Sequence, residues 1–248
     1  MGVLDFAQSI DWNVEAIEAS ISADDANREV YEQAVREFSL LLNKDPFNRL
    51  IYRHRGHRYL SLGCVEQAVA DLSLSTRMEP EYWKSWDLLG MAYYYLGDYE
   101  KALTYYQQGL KVTGLKSKFT APLVYWSYLS LCQLGRKDTK EAKELLQLVD
   151  ADDPSVQSLY LWLIRLHRNE CTAQDVYDFE EEYEKNERTQ CGNVDYLTGT
   201  YGYGIAIKYY FDGQKEKARE VMEEVVAANR DWNAWGYIAC QKDLGRLF

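Results

Sequence analysis

The strongest constraint on this chain is an internal repeat of 34 residues. Ala34, Ala68 and Ala102 stand 34 residues apart, and other small or aromatic residues recur at the same interval. The recurring pairs are Pro46 and Pro80, Gly56 and Gly90, Tyr59 and Tyr93, and Gly63 and Gly97. A period of this length is typical of stacked helical hairpins, in which each unit covers the apolar face of its neighbour. The sequence therefore predicts an all-α array.

Within one copy of the repeat, the spacing predicts a helix, a turn and a second helix. Trp86, Gly90 and Tyr93 are three and four residues apart, so they lie on one face of the first helix. Gly97 can adopt the left-handed conformation that often ends a helix, and Asp98 can cap the helix that follows. We expect these residues to build the scaffold.

The repeat resembles the tetratricopeptide repeat family, whose pattern runs W-x2-L-G-x2-Y, then A-x3-F, then P. Residues 83–114 match it almost completely, and residues 49–82 match it with Tyr52 at the Trp position but Arg55 at the usual Leu position. Residues 30–48 resemble the second helix of an earlier unit. The resemblance implies a right-handed helical-hairpin solenoid of about five to six repeats with a C-terminal capping helix.

The resemblance extends over most of the chain, and it implies a single solenoid domain over residues 1–248. The repeats are clear over residues 30–114 and degenerate over residues 115–190, and residues 191–248 form a further repeat and the capping helix. Because a solenoid needs a last layer to cover its open end, we expect this helix between Trp232 and Leu247. As a whole the chain also resembles bacterial tetratricopeptide proteins.

Charge and cysteine content limit the partners and the compartment. A net charge of −11 argues against nucleic acid or an anionic membrane as the main partner. The five cysteines show no C-x-x-C pairing, which is typical of reduced thiols. Neither a signal-peptide segment nor an apolar run of membrane-spanning length is recognisable. These features predict a cytoplasmic protein.

A basic cluster stands out in this acidic chain, because residues 53–58 hold three Arg and two of the three His. Like charges at such short spacing on one helix repel each other. Either the chain's own acids offset them, for instance through a buried pairing of Arg55 with a neighbouring helix, or the cluster binds an anion. Arginine suits the second role because its rigid fork of donors matches carboxylate or phosphate.

In the tetratricopeptide family, the residue after the opening aromatic and the one four later line a concave groove. The resemblance therefore implies a binding surface made of groove positions and of residues that flank them. The groove positions are Arg53, His57, Asp87, Met91, Tyr125 and Tyr203, and the flanking residues are Lys84, Tyr94 and Tyr210. Family members that assist chaperones use this groove to clamp the C-terminal carboxylate of a peptide. That scheme does not transfer here, because only Arg53 fits it and Asp87 would repel a carboxylate.

Three functions remain open at this point. The favoured interpretation is a non-catalytic module that binds a protein or peptide partner in its concave groove, as a scaffold or adaptor. The alternatives are a pocket for a small anionic metabolite, formed by Arg53, His57 and the groove tyrosines, and an enzyme with His57 as general base. No cofactor is expected, and His54 and His57 lack a third metal ligand. Whether two copies associate is left open.

Three further features of the sequence lie in the later part of the chain. The glycine-rich segment 199–204 lacks the Lys of a phosphate-binding loop and is expected to allow close backbone approach. The acidic segment 175–187 is expected to be a solvated helix face, and the alternative is a docking patch for a basic partner. His167 lies near a predicted helix C-terminus, where a charged imidazole would suit the helix dipole.

Overall fold

The computed structural model describes residues 14–21, 27–114, 119–150, 160–187, 196–228 and 232–248. Within these ranges the chain forms thirteen helices and no strand, as the repeat predicts. The helices are α1 (14–21), α2 (Arg28–Lys44), α3 (Arg49–Ser61), α4 (Val65–Met78), α5 (Trp83–Leu96), α6 (Tyr99–Thr113), α7 (Thr120–Gln133), α8 (Lys140–Leu146), α9 (Tyr160–His167), α10 (Ala173–Glu187), α11 (Tyr196–Phe211), α12 (Lys215–Ala228) and α13 (Trp235–Leu247). Neighbouring helices pack mainly on each other, which produces a stack of hairpins.

The α5–α6 hairpin forms through the local signals predicted from the sequence. Gly97 ends α5 in the left-handed conformation, with a φ of 79°. The side chain of Asp98 then accepts a hydrogen bond from the backbone N–H of Lys101 and so caps α6. Ala102 is fully buried, which lets the two helices pack closely. The predicted scaffold role of these residues is confirmed.

The degenerate part of the chain also folds into helical pairs. Gly135, with a φ of 72°, lies in the turn after α7. The short helix α8 follows, and its residue Ala142 is buried although it stands two positions further from the turn glycine than Ala102 does from Gly97. On α10, Val176 is buried and Phe179 stacks on Trp162 of α9, with ring centroids 4.9 Å apart. The apolar spacing therefore identified these helices even where the family pattern had weakened.

The glycine-rich segment lies inside α11, where it brings three helices close together. A Cβ atom on Gly202 would overlap the side chain of Val225 on α12. A Cβ atom on Gly236 of α13 would overlap the backbone carbonyl of Gly199. The expectation of close backbone approach is confirmed, because neither contact leaves room for a side chain.

The last helix does more than cover an open end. α13 packs on α11 and α12, and it also reaches across to α5. The hydroxyl of Tyr95 donates a hydrogen bond to the carbonyl of Trp235 at 3.0 Å, and the guanidinium of Arg246 donates to the carbonyl of Tyr95. The inner side of α5 is therefore covered by the chain itself. This corrects the expectation of an open concave groove along the array.

Two clusters of buried apolar side chains form the core. The larger one runs from α3 to α13, and the smaller one joins α1, α2 and the start of α3. Trp232 packs against both clusters, and the amide of Asn233 donates to the hydroxyl of Tyr31 at 2.6 Å. The segment before α13 therefore contacts the N-terminal hairpin.

Three further observations concern helix length, the cysteines and the acidic segment. None of the helices in the described ranges is long and apolar enough to cross a bilayer. The four described cysteines are free thiols, and Cys191 lies outside the described residues. On α10, Asp175, Asp178, Glu181 and Glu182 are exposed, Glu180 is buried, and the side chains of Glu184 and Glu187 lie outside the described part. The acidic segment is thus a largely solvated face.

Candidate functional site

Four of the predicted groove residues lie in the protein interior. Met91, Tyr94, Tyr125 and Tyr203 are each at most 1% exposed. The hydroxyl oxygens of Tyr94 and Tyr203 are 2.6 Å apart, and Tyr203 donates to Asp243 at 2.7 Å. These four side chains therefore do not line an accessible groove, contrary to the expectation from the repeat positions. Aromatic rings from α5, α7 and α11 meet here and fill the hollow that an open groove requires.

Two further predicted residues lie away from the remaining site residues. The Arg53 guanidinium pairs with Glu79 at 3.0 Å and lies 4.1 Å from the ring centre of Tyr82, in a separate surface pocket. Tyr210 packs edge-on against Phe248 near the C-terminus. The anion-binding alternative requires Arg53 and the groove tyrosines to lie in one pocket. The structure places them apart.

The basic cluster is paired within the chain. Arg55 forms two hydrogen bonds with Asp71 on α4, at 2.7 and 2.8 Å. His54 and Arg58 both contact Glu18 on α1, at 3.1 and 3.6 Å. The alternative of internal pairing is confirmed for these residues. The chain's own carboxylates thus offset most of the cluster's charge.

The remaining predicted residues, His57, Lys84 and Asp87, line a cavity of about 430 Å³ between α3 and α5. We call it the aromatic cavity. Its aromatic lining is Tyr31, Trp83, Phe119, Tyr160 and Trp235. The described side chains of this lining come from α2, α5, the residue before α7, and the first residues of α9 and α13. The inner face of the array thus retains a bounded site where α5 begins.

The repeat pattern did not identify the aromatic lining. Trp83 and Phe119 stack with ring centroids 4.2 Å apart, although one begins α5 and the other precedes α7. Trp235 belongs to α13 and reaches the cavity because that helix packs back against α5. The spacing within a repeat describes contacts between its own helices. This spacing does not predict contacts between aromatic rings that belong to distant repeats.

An ion pair marks the polar side of the aromatic cavity. The Lys84 ammonium donates to Asp87 Oδ2 at 2.9 Å and lies 4.5 Å from the ring centre of Trp235. Asp87 is only 1% exposed, and burial raises the pKa of its carboxyl group while Lys84 opposes that rise. Asp87 Oδ1 is buried and has no hydrogen-bond partner among the described residues. The carboxylate is therefore only half satisfied.

His57 is a neutral side chain in this environment. Arg58 can only donate, so the close contact between its guanidinium and His57 Nδ1 assigns the imidazole proton to Nε2. Burial, followed by the charge of Arg58, holds the pKa of His57 well below its usual value. A neutral imidazole with a low pKa is a weak base and adds no positive charge. Both properties disfavour the enzyme and anion alternatives.

His167 is also neutral, which corrects the expectation of a charged imidazole. It lies beside Tyr125 and Tyr128, with ring centroids 5.5 and 5.3 Å away. Burial lowers the pKa of His167 to about 3. The cost of burying a charge outweighs the helix dipole here. No group of three or more potential metal-binding side chains occurs in the part of the chain that the structure describes.

Comparison with known proteins agrees with the helical geometry. The family model for the tetratricopeptide repeat matches residues 83–113, which form the α5–α6 hairpin. The α5–α6 hairpin resembles one tetratricopeptide repeat. Over 87 residues, 35% of its length, it is 31% identical to the heat-shock protein cognate co-chaperone sgt12 of Aspergillus fumigatus, covering 26% of that protein. Over 81 residues, 33% of its length, it is 26% identical to the Hsp70-Hsp90 organizing protein of Triticum aestivum, covering 14% of it.

The chain spans about a quarter or less of the length of these two relatives. Among solved structures, a tetratricopeptide repeat protein from Parabacteroides merdae is 16% identical, with a TM-score of 0.49 over 94% of this chain and 88% of that one. MamA is 14% identical, with a TM-score of 0.46 over 88% of this chain and 92% of the other.

Proposed function

We propose that this tetratricopeptide chain is a non-catalytic protein-binding module, a scaffold or adaptor, that takes an anchor side chain of its partner into the aromatic cavity. The observation that carries the proposal is the combination of aromatic rings with one half-satisfied buried carboxylate. Tryptophan and tyrosine supply much of the binding energy in protein interfaces. The partly exposed rings of Trp83 and Trp235 offer such surfaces.

The mode of binding follows from how much of the inner face is free. Because the tyrosines of α5, α7 and α11 fill the hollow, a long peptide cannot lie along the whole array. The aromatic cavity, at about 430 Å³, falls within the usual size range of sites for small ligands. It therefore suits one inserted side chain with its flanking backbone.

The relatives support a protein partner without identifying it. The relatives in Aspergillus fumigatus and Triticum aestivum are named as a co-chaperone and an organizing protein of heat-shock proteins. The resemblance to chaperone-assisting family members does not extend to a carboxylate clamp. Arg53 is engaged by Glu79, and Asp87 places an acidic group at the inner face. We therefore assign the class of partner and leave its identity to experiment.

A peptide-display selection on the full chain tests the proposal. Binders are measured by isothermal titration calorimetry on the wild type and on two tryptophan variants. Trp83 stacks on Phe119 in the aromatic cavity, whereas Trp162 stacks on Phe179 outside it. We expect Trp83→Ala to weaken binding about tenfold or more, as for interface anchors, and Trp162→Ala to leave it unchanged. Circular dichroism checks that both variants are folded.

Two results would contradict the proposal. One is a selection that yields no binder. The other is a set of binders whose affinities respond equally to the two tryptophan substitutions, because the aromatic cavity would then have no special role.

A further inference from the structure

We infer that the aromatic cavity recognises an arginine side chain of a basic partner segment, and that Lys84 occupies the place of that arginine in the free protein. This inference rests on the proposed function and specifies the chemistry of the anchor. Its starting point is the position of the Lys84 ammonium. It is paired with Asp87 at 2.9 Å and lies 4.5 Å from the ring centre of Trp235 and 5.3 Å from that of Trp83. A cation already lies among these rings.

The internal lysine satisfies the carboxylate only in part. Its ammonium bonds to Asp87 Oδ2, while Oδ1 is buried without a partner among the described residues. Leaving a buried acceptor unpaired is unfavourable. A guanidinium presents two parallel N–H groups that match both oxygens of a carboxylate. An arginine would therefore complete the hydrogen bonding that Lys84 leaves incomplete.

The aromatic lining favours the same group. Arginine forms cation–π contacts more often than lysine does, and tryptophan is the best aromatic partner. A guanidinium is planar and weakly hydrated, so it stacks on rings at a lower desolvation cost than an ammonium. Trp83 and Trp235 both lie within reach of a cation at the Lys84 position.

Lys84 can leave its position, whereas the neighbouring cation cannot. The side chain of Lys84 is 29% exposed and its carboxylate partner lies three residues away on the same helix, so its departure breaks no ion pair between helices. The contact that it gives up with Trp235 on α13 is one that the incoming arginine can replace. Arg58 is only 7% exposed and lies 3.6 Å from Glu18 on α1, which offsets its charge. The net charge of −11 favours a basic segment. The incoming arginine then needs only to displace one flexible side chain.

Ligand-observed NMR titration of the full chain tests this assignment with three small probes. They are the N-acetyl amides of arginine, of lysine, and of citrulline, which has the shape of arginine but no charge. On the wild type we expect arginine to bind most tightly and citrulline at least about tenfold more weakly, because the charged pair is lost. This comparison needs no variant, so it holds whatever the stability of the substituted proteins.

Two variants and a control test the role of the internal pair. Lys84→Met removes the competing cation and is expected to tighten arginine binding by several-fold, whereas Asp87→Asn is expected to abolish the preference over citrulline. Lys101→Met is the matched control, since Lys101 pairs with Asp98 with the same spacing, at 2.7 Å, on the exposed surface. We expect this control to bind the three probes as the wild type does.

The inference is overturned if arginine and citrulline bind equally, or if Lys84→Met gives the same affinities as Lys101→Met. Its failure differs from failure of the proposed function. Selected peptides that lack arginine but still depend on Trp83 would overturn the arginine assignment and leave the binding module intact.

Discussion

Arg55 occupies a position where the repeat pattern has leucine, and its replacement by leucine tests how the N-terminal repeats are held. The guanidinium forms two hydrogen bonds with Asp71, at 2.7 and 2.8 Å, and a third with the hydroxyl of Ser39 at 2.9 Å. These contacts join α3 to α4 and α2. The side chain of Asp71 is only 6% exposed. It therefore depends on Arg55 for its counter-charge.

Arg55→Leu would leave the Asp71 carboxylate buried and uncompensated. Removing one partner of a buried ion pair costs about 3 to 5 kcal/mol. Because the Arg55 side chain is 18% exposed, water can reach part of the site, and we expect a loss of about 3 kcal/mol in the free energy of unfolding. The double variant Arg55→Leu, Asp71→Ala should recover most of that loss, because no unpaired charge remains.

Urea-induced unfolding followed by circular dichroism at about 222 nm measures these differences. Arg219→Leu is the matched control, because Arg219 pairs with Glu223 at 2.7 Å on the exposed face of α12 and should contribute little. The reasoning is refuted if Arg55→Leu destabilises the protein no more than this control does. The single variant Asp71→Ala completes the comparison. The reasoning is refuted equally if the double variant loses as much stability as Arg55→Leu and Asp71→Ala lose together when measured singly.

Two other predictions concern packing and pH. A Cβ atom on Gly90 would lie 2.7 Å from the ring of Tyr106. In the urea assay, Gly90→Ala should therefore lower the free energy of unfolding, because overpacking costs about 1 to 3 kcal/mol and the higher helix propensity of alanine offsets only part of that cost. Gly245→Ala, with nothing within 4 Å, should raise the free energy of unfolding slightly. Burial raises the pKa of Asp243 to about 6. Between about pH 4 and 6 the native state therefore holds a proton that the unfolded state has released. The free energy of unfolding should consequently rise as pH falls from about 7 to about 4. Thermal unfolding of Asp243→Asn across this range should lack that rise; an unchanged pH profile would contradict the assignment.

The part of the fold that could be predicted from the sequence is the part that depends on near neighbours in the chain. Gly97, Asp98 and Ala102 act within one hairpin, where steps of three and four residues and a left-handed glycine decide which faces meet. The close approach at the glycine-rich segment is also predictable, because small residues allow close packing in any helical context. The partner of Arg55 remained open, because one sequence does not show which acid faces it.

The site required contacts between distant repeats. Tyr94 and Tyr203 were assigned to a groove by their positions in the repeat, yet they face each other across its filled hollow. Trp83, Phe119 and Trp235 carry no repeat signal, yet they line the aromatic cavity. The order of amino acids alone specified helices, turns and hairpins, because backbone propensity and side-chain periodicity act locally. The three-dimensional packing decided which inner faces were filled and which remained a cavity, because that depends on how the last helix packs against the early ones.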